Sequence, residues 1–359
     1  MRKTFIVSAI VLVNLFSCKK KENKPEEKTQ KESTFISIVS DFETEPVTSN
    51  DDAADDPCIW INPKDTLQST IIGTNKREGL EVYNLQGKRL YNYPIGRVNN
   101  VDIRNGFLLN GEETSVVTAT NRTHNTISIL KVKSNGELED IAARPITSNV
   151  EEVYGLAMYK SPKTNKIFSF LVGKEGEVEQ WELFENNNKI DAKLVRAFEL
   201  GSQGEGIVAD DFHAKVYFGE ENKALWKYNA EPEAGNEREN IINVTDKNMK
   251  DDFEGVTLYD SGNGKGFIIL SSQGNNSYAV FDRISNKYLG SFLLSDAENI
   301  DGTYDTDGID VTSVALGSKY PKGVFIAQDG ANTQGKDSLN QNFKVVDWRK
   351  ISTGLQLSN

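Results

Sequence analysis

Five stretches of the chain share one hydrophobic pattern: an alternating strand rich in aromatic or β-branched residues, a short polar turn, then a second strand. They are "GLEVYNLQGKRLYNY" from Gly79, "NTISILKVKSNGELEDI" from Asn125, "EVEQWELFENNNKI" from Glu177, "ALWKYNAEPEAGNERENI" from Ala224 and "SYAVFDRISNKYLGSF" from Ser277. Their starts lie 46, 52, 47 and 53 residues apart. Alternation broken by "LQGK", "KSNGE" or "ENNN" is the signature of a hairpin. A period of about fifty residues, with room for four strands in each unit, is the signature of a propeller blade. "GVFIAQDG" and "NFKVVDWRKI" suggest a sixth unit near the C-terminus. The early strand "FISIVSDFE" is placed to complete that last blade, closing the ring and removing an open sheet edge. No segment of useful length carries a helical period. The pattern predicts an all-β, six-bladed β-propeller; a pair of two-sheet sandwiches is the alternative, and the spacing favours the propeller.

The N-terminus departs from this pattern. Arg2 and Lys3 precede an apolar run, Thr4 to Phe16, that is too short to span a bilayer. "LFSC" then ends the run at Cys18, which resembles a bacterial lipobox; an ordinary signal peptide cut nearby is the alternative. Residues 19–34, "KKKENKPEEKTQKEST", contain no apolar side chain and read as a tether. The expected organisation is a signal peptide over 1–17, a lipid-anchored tether over 18–34 and the propeller over 35–359. The expected location is the outer membrane or cell surface, with the membrane contacted through the lipid alone. Cys58 is the only other cysteine, so no intrachain disulfide supports an exported fold, and a large core or bound metal must do so.

The net charge of −12, without a basic cluster, excludes a phosphate-backbone binder, and no nucleic-acid partner is expected. Two histidines are too few for a histidine-rich zinc site. The acids gather in inter-blade loops: "DDAADDP", "NNVD", "QGEG", "GEEN", "DDFEG" and "DGTYDTDGID". Loops of one kind return to one end of a propeller channel, so these carboxylates can converge. Converged carboxylates need a counter-charge, and an oxygen-only donor set suits a hard cation, Ca²⁺ above all. An EF-hand does not explain them: framed on Asp305, Asp307 and Gly308, that loop starts at Thr303 and puts Val314 where a bidentate Glu belongs. Lys76, Arg77, Arg122 and Lys174 recur in the neighbouring loops. Each alone reads as a surface charge. Together, beside acids that hold Ca²⁺, they suit a highly anionic ligand.

Ten segments, in order and with matching spacing from Glu43 to Trp348, resemble the β-propeller phytases. They are "DDAADDPCIW", "IIGTNKREGLEVYNL", "GRVNNVDIR", "EVYGLAMY", "GKEGEVEQWEL", "EGIVADD", "DDFEGVTLY", "SSQGNNSYAVFDR", "DGTYDTDGIDV" and "VFIAQDG…NQNFKVVDW". The resemblance implies a six-bladed propeller that hydrolyses phytate, as such or as calcium–phytate, to lower inositol phosphates with Ca²⁺ at near-neutral to alkaline pH. It implies a catalytic calcium cluster of Glu205, Asp252, Glu254, Asp301 and Asp307. Lys76, Arg122, Tyr154 and Lys174 are implied as phosphate ligands there, and Arg77 and Glu221 as an adjacent affinity site. Structural calcium is implied at Asp56 with the Pro57 and Val101 carbonyls, and at Glu43 with Asp329. Ala331 departs from the pattern where many relatives carry Glu, which puts the last site in question. "SSQGNNSY" reads either as a substrate contact or as a tight inter-blade turn.

Phytate carries roughly −9 to −12 near neutral pH, at −1.5 to −2 per phosphate, so a bare carboxylate mouth would repel it and a metal-filled one would not. The expected chemistry is attack by a metal-activated water, with no covalent phospho-enzyme. Two alternatives stay open: a calcium-binding propeller that hydrolyses another ester or a lactone, and a non-catalytic, surface-anchored binding propeller. Nothing in the sequence calls for more than a monomer.

Overall fold

A computed structural model describes residues 35–358; the expected signal peptide and tether, with Cys18, lie outside the described residues. Six small sheets form the blades. The first four consist of Ala54–Trp60, Thr70–Asn75, Gly79–Asn84 and Arg89–Tyr93; Val98–Leu109, Glu112–Asn121, Thr126–Val132 and Leu138–Asp140; Val153–Lys160, Ile167–Gly173, Glu177–Asn186 and Lys189–Glu199; and Gly204–Asp210, Lys215–Glu220, Ala224–Asn229 and Arg238–Asn243. The fifth contains Phe253–Gly262, Lys265–Ser272, Ser277–Asp282 and Tyr288–Leu294, and the sixth Ile309–Val311, Val324–Asp329 and Asn342–Asp347. Each repeat seen in the sequence is the outer hairpin of a blade. The innermost strands of successive blades touch around the whole circle, including the sixth against the first.

The early strand closes the ring in two places. Phe42–Glu43 pairs antiparallel with Asn342–Asp347 as the outer strand of blade six. Ile36–Ile38 adds in parallel to Tyr288–Leu294 of blade five. Each of these two early strands therefore covers an edge that would otherwise stay unpaired. The expectation of no useful helix needs one correction. Trp348–Gly354 is a helix of 7 residues, capped by Asp347, whose side chain accepts the Arg349 N–H. Its Trp348 stacks on Tyr259 with ring centroids 4.0 Å apart.

The core is divided. Among the described residues, six apolar clusters fill the six blade-to-blade interfaces. Adjacent residues of one strand serve opposite interfaces: Ile71 packs toward blade six and Ile72 toward blade two. Middle strands such as Thr70–Asn75 are buried on both faces, so they lack the alternation of a half-solvated strand.

Five inner strands carry a β-bulge at the same level, immediately after their first residue. Pairing skips Asp55–Asp56, Asn99–Asn100, Tyr154–Gly155, Glu205–Gly206 and Glu254–Gly255. In blade six, Asp307–Gly308 immediately precede the inner strand. A bulge re-aims side chains and tightens local twist. Here it frees one polar side chain per blade at one end of the channel. The glycines answer a steric need, because inner strands converge there. A Cβ at Gly155 would overlap the Glu205 carbonyl, one at Gly206 the Glu254 carbonyl, and one at Gly308 the Asp56 side chain.

Candidate active site

The bulges bring together acids that are far apart in sequence. Carboxylate oxygens of Glu205, Glu221 and Glu254 all lie within 4.8 Å of one another. Asp55, Glu205 and Glu254 are buried. Glu221 Oε1, Glu254 Oε2 and Asp55 Oδ1 are buried without a hydrogen-bond partner. Burial and the neighbouring Glu205 charge push the Asp55 and Glu254 carboxyls well above the usual range. The same causes push Glu221 up to about 8. Burial raises Asp307 to about 7 despite the Lys76 ammonium beside it. Buried carboxylate oxygens with open lone pairs and unrelieved repulsion fit a hard divalent cation. Glu205, Glu221 and Glu254, with Asp55, would hold it.

Glu221, Asp252, Glu254, Asp307 and Gln273 line a cavity of about 800 Å³. Gln273 fixes Asp307, its Nε2 donating to Oδ1 at 2.6 Å. A second cavity, of about 450 Å³, is cationic: Lys76, Arg77, Arg97, Arg122 and Lys174 line it with Asn99. Both cavities share Asp52, Lys76 and Tyr154 as a common wall. Lys76 Nζ sits 2.7 Å from Asp52, 3.0 Å from Asp307 and 3.7 Å from Asp55. Burial opposes its charge, but Asp55, Asp307 and Glu205 outweigh that and hold the ammonium protonated far above its usual range. Arg122 is gripped by Glu152, its Nε donating at 2.6 Å. Its Nη1 donates to Asn99 Oδ1 at 3.1 Å, and Asn99 Nδ2 donates to Glu205 Oε1 at 3.0 Å. That relay joins the cationic cavity to the acidic one. Arg122 and Lys174 also lie over the Tyr154 ring, 5.7 and 5.1 Å from its centroid. Burial, then Glu205, raises the Tyr154 hydroxyl, so it stays protonated.

The predicted residues thus divide. Lys76, Arg122, Tyr154, Lys174, Glu205, Asp252, Glu254 and Asp307 meet at one mouth. Glu221 joins Glu205 and Glu254, whereas Arg77 lines the cationic cavity, so the pair expected as one affinity site sits on two sides of the shared wall. Asp301 lies instead with Glu43 and Asp329 around Lys344. The Lys344 ammonium, completely buried, contacts Glu43 Oε2 at 2.5 Å, Asp329 Oδ2 at 3.2 Å and Asp301 Oδ1. Thr333 caps the other Asp301 oxygen through its N–H and hydroxyl. In this arrangement the set does not fit a calcium ion, because an ammonium already holds the centre and Ala331 offers no side-chain oxygen. Asp56 and Val101 do adjoin, the Val101 N–H donating to Asp56 Oδ2 at 3.0 Å, and Pro57 follows on the same strand.

Sequence reasoning passed over Asp55, Arg97, Asn99 and Glu152 as site residues. The available signal was position, since Asp55 and Asn99 occupy the level of Tyr154, Glu205 and Glu254 on their own inner strands.

The fold and the site define a six-bladed propeller with a carboxylate cluster and a cationic cavity sharing one wall. The chain belongs to the phytase family: the family model described as Phytase matches residues 3–358. A 3-phytase of Bacillus subtilis (strain 168) is 45% identical over 331 residues, covering 90% of this chain and 87% of that protein. Among solved structures, a regucalcin from Agrobacterium tumefaciens, described as calcium-binding, aligns with a TM-score of 0.52. It is 11% identical and covers 86% of this chain and 95% of its own, which speaks for the fold alone.

Proposed function

We propose that this protein is a calcium-dependent phytase that removes phosphate from myo-inositol hexakisphosphate, free or as its calcium salt, by attack of water. The observation that carries the reading is the shared wall. A cluster suited to a hard cation and a cavity suited to phosphate meet at Lys76 and Tyr154. When bound, calcium supplies neutralising charge and Lewis acidity.

The chain's own groups bind and orient. Lys76, kept charged by Asp307 and Asp55, faces a phosphoryl oxygen at the wall and stabilises charge that grows there. Arg122, fixed between Glu152 and Asn99, offers a rigid donor fork. Lys174 supplies a point charge over the Tyr154 ring, and the protonated Tyr154 hydroxyl donates. The reaction needs no covalent intermediate, and neither cavity is lined by His or Cys.

The test is phosphate release from hexakisphosphate with calcium and after chelation. Release that vanishes with chelator and returns with calcium supports the reading. Calcium-independent release, or none in either state, overturns it. Export with a lipid on Cys18 belongs to the same proposal and rests on the N-terminal sequence. Mass spectrometry of the native N-terminus tests it, with an unmodified Cys18 as the contrary result.

A further inference from the structure

The two ends of the ring differ. Inner strands run away from the acidic mouth, so the turns after the first and third strands of each blade gather at the opposite end. Those turns and their flanks carry the four most exposed large apolar side chains among the described residues. Leu108 and Ile284 are 61% exposed, Phe212 59% and Leu67 56%, and no other exceeds 41%. Single exposed apolar residues are ordinary, but the four largest cases all lie at one end.

Blades four and five build the firmest part of that end. The Phe212 ring lies on the Gly264 turn, where a Cβ would come within 2.5 Å of it. Arg283, next to Ile284, has its guanidinium 6.0 Å from the same ring's centroid. It is fixed by donating to both Asp210 oxygens, at 2.9 and 2.6 Å. The nearby acids are taken up, Asp210 and Asp260 by Arg283 and Asp211 by Arg104. Lys265 and Lys287, in the two turns of blade five, are exposed, and among the described residues neither has a carboxylate partner. The patch is apolar at its tips and positive where charge is left over.

The N-terminal strand enters from the same side. Ile36–Ile38 runs parallel to Tyr288–Leu294, which runs toward the mouth. The chain before Phe35 therefore joins blade five from the end that carries Ile284 and Lys287. A lipid on Cys18 would be attached on the patch's side, at most ~55 Å of extended chain away. We propose that the end of the ring opposite the mouth is a lipid-facing surface, which seats Phe212, Ile284 and the adjoining lysines on an anionic bilayer and leaves the mouth open to solution. Delivery by the lipid rests on the export reading; the seating rests on the patch. The net charge of −12 does not oppose it, because the carboxylate cluster lies at the mouth. An inner strand such as Ala54–Trp60, of 7 residues, separates the two ends by about 20 Å. That is more than twice the ~8 Å over which charges act at physiological salt.

The experiment places the full lipidated chain in phosphatidylglycerol vesicles, in chelator so that no divalent ion bridges the mouth acids to the lipid. An environment-sensitive fluorophore is attached at Ile284→Cys or, in a second protein, at Leu339→Cys beside the mouth; Cys58 is buried and does not compete for it. Nitroxide-bearing lipids quench the Ile284→Cys label severalfold more than the Leu339→Cys label. Equal quenching of both, stronger quenching at the mouth, or none at Ile284→Cys overturns the proposal. So does a dimer in sedimentation that Phe212→Asp splits, because the patch then meets a second copy. A second arm mixes the Cys18→Ser chain, labelled at Ile284→Cys, with the same vesicles. Adding Lys265→Glu and Lys287→Glu raises the half-saturating lipid concentration about 25-fold, at about fivefold per lysine; an unchanged value overturns the proposal. This arm separates the two readings: charge-dependent binding, with Cys18 unmodified in the native protein, refutes the lipid anchor and leaves the surface standing.

Discussion

Replacing Lys344 with Met removes the one positive charge among three carboxylates at the ring closure. Glu43 comes from the N-terminal strand of blade six, Asp301 from the loop leading to Asp307, and Asp329 from the second strand of the same blade. The ammonium is fully buried, and these carboxylates outweigh the burial that opposes its charge. Burial also raises Asp329 to about 6 even with Lys344 beside it. Methionine nearly preserves the volume of the stem, so the loss is electrostatic. Removing one partner of a buried ion pair costs about 3–5 kcal/mol, because the remaining charge is left without compensation. Three carboxylates share one ammonium here, which points to the upper part of that range. The assay is equilibrium urea unfolding of wild type and Lys344→Met in chelator at neutral pH, repeated with calcium. The variant should lose about 4 kcal/mol in chelator and regain part of it with calcium, since the vacated centre would then suit a cation. A loss under about 1 kcal/mol, the range of exposed pairs, would show that the cluster is solvated and the reasoning wrong.

Gly206→Ala places a methyl group into the Glu254 carbonyl. Forcing the two inner strands apart should cost about 1–3 kcal/mol or more. It should also lower phosphate release about 100-fold, because displacement of about 1 Å at a reacting centre has that effect; near-wild-type turnover would contradict the close-approach account. In chelator, the folded protein keeps protons on Glu221 up to about 8 and on Asp307 up to about 7. Unfolded carboxylates lose theirs near pH 4. The folded state then binds more protons across that window, so the chelated protein should lose stability as pH rises from about 5 to 8. Calcium stabilisation should grow over the same range, because protons compete for the ligands. Melting curves in chelator that stay flat or rise with pH would count against it.

The repeat was legible because the outermost strand of each hairpin meets solvent and alternates visibly, as Arg89–Tyr93 does beside the buried Gly79–Asn84. Middle strands are sandwiched between blades and read as largely apolar runs without a period, as in Ile167–Gly173, and the inner strands mix acids and amides with apolar residues, so the bulges left little trace. The trace that does exist is a polar residue followed by glycine, at Tyr154–Gly155, Glu205–Gly206, Glu254–Gly255 and Asp307–Gly308. The acids of the mouth could be named from their loops, but Asp301 and Asp307 share one loop and part company in space. Asp301 turns to Lys344 across the ring closure, a contact between residues 43 apart whose direction no local pattern encodes.

The central claim is that cations gathered at the mouth let a protein of net charge −12 receive a still more anionic ligand. Calorimetric titration of myo-inositol hexasulfate into the protein tests this without turnover, first in chelator and then in calcium. The account predicts no measurable binding in chelator and saturable binding in calcium, weakened by Glu205→Gln. Equal affinity in both buffers would contradict it.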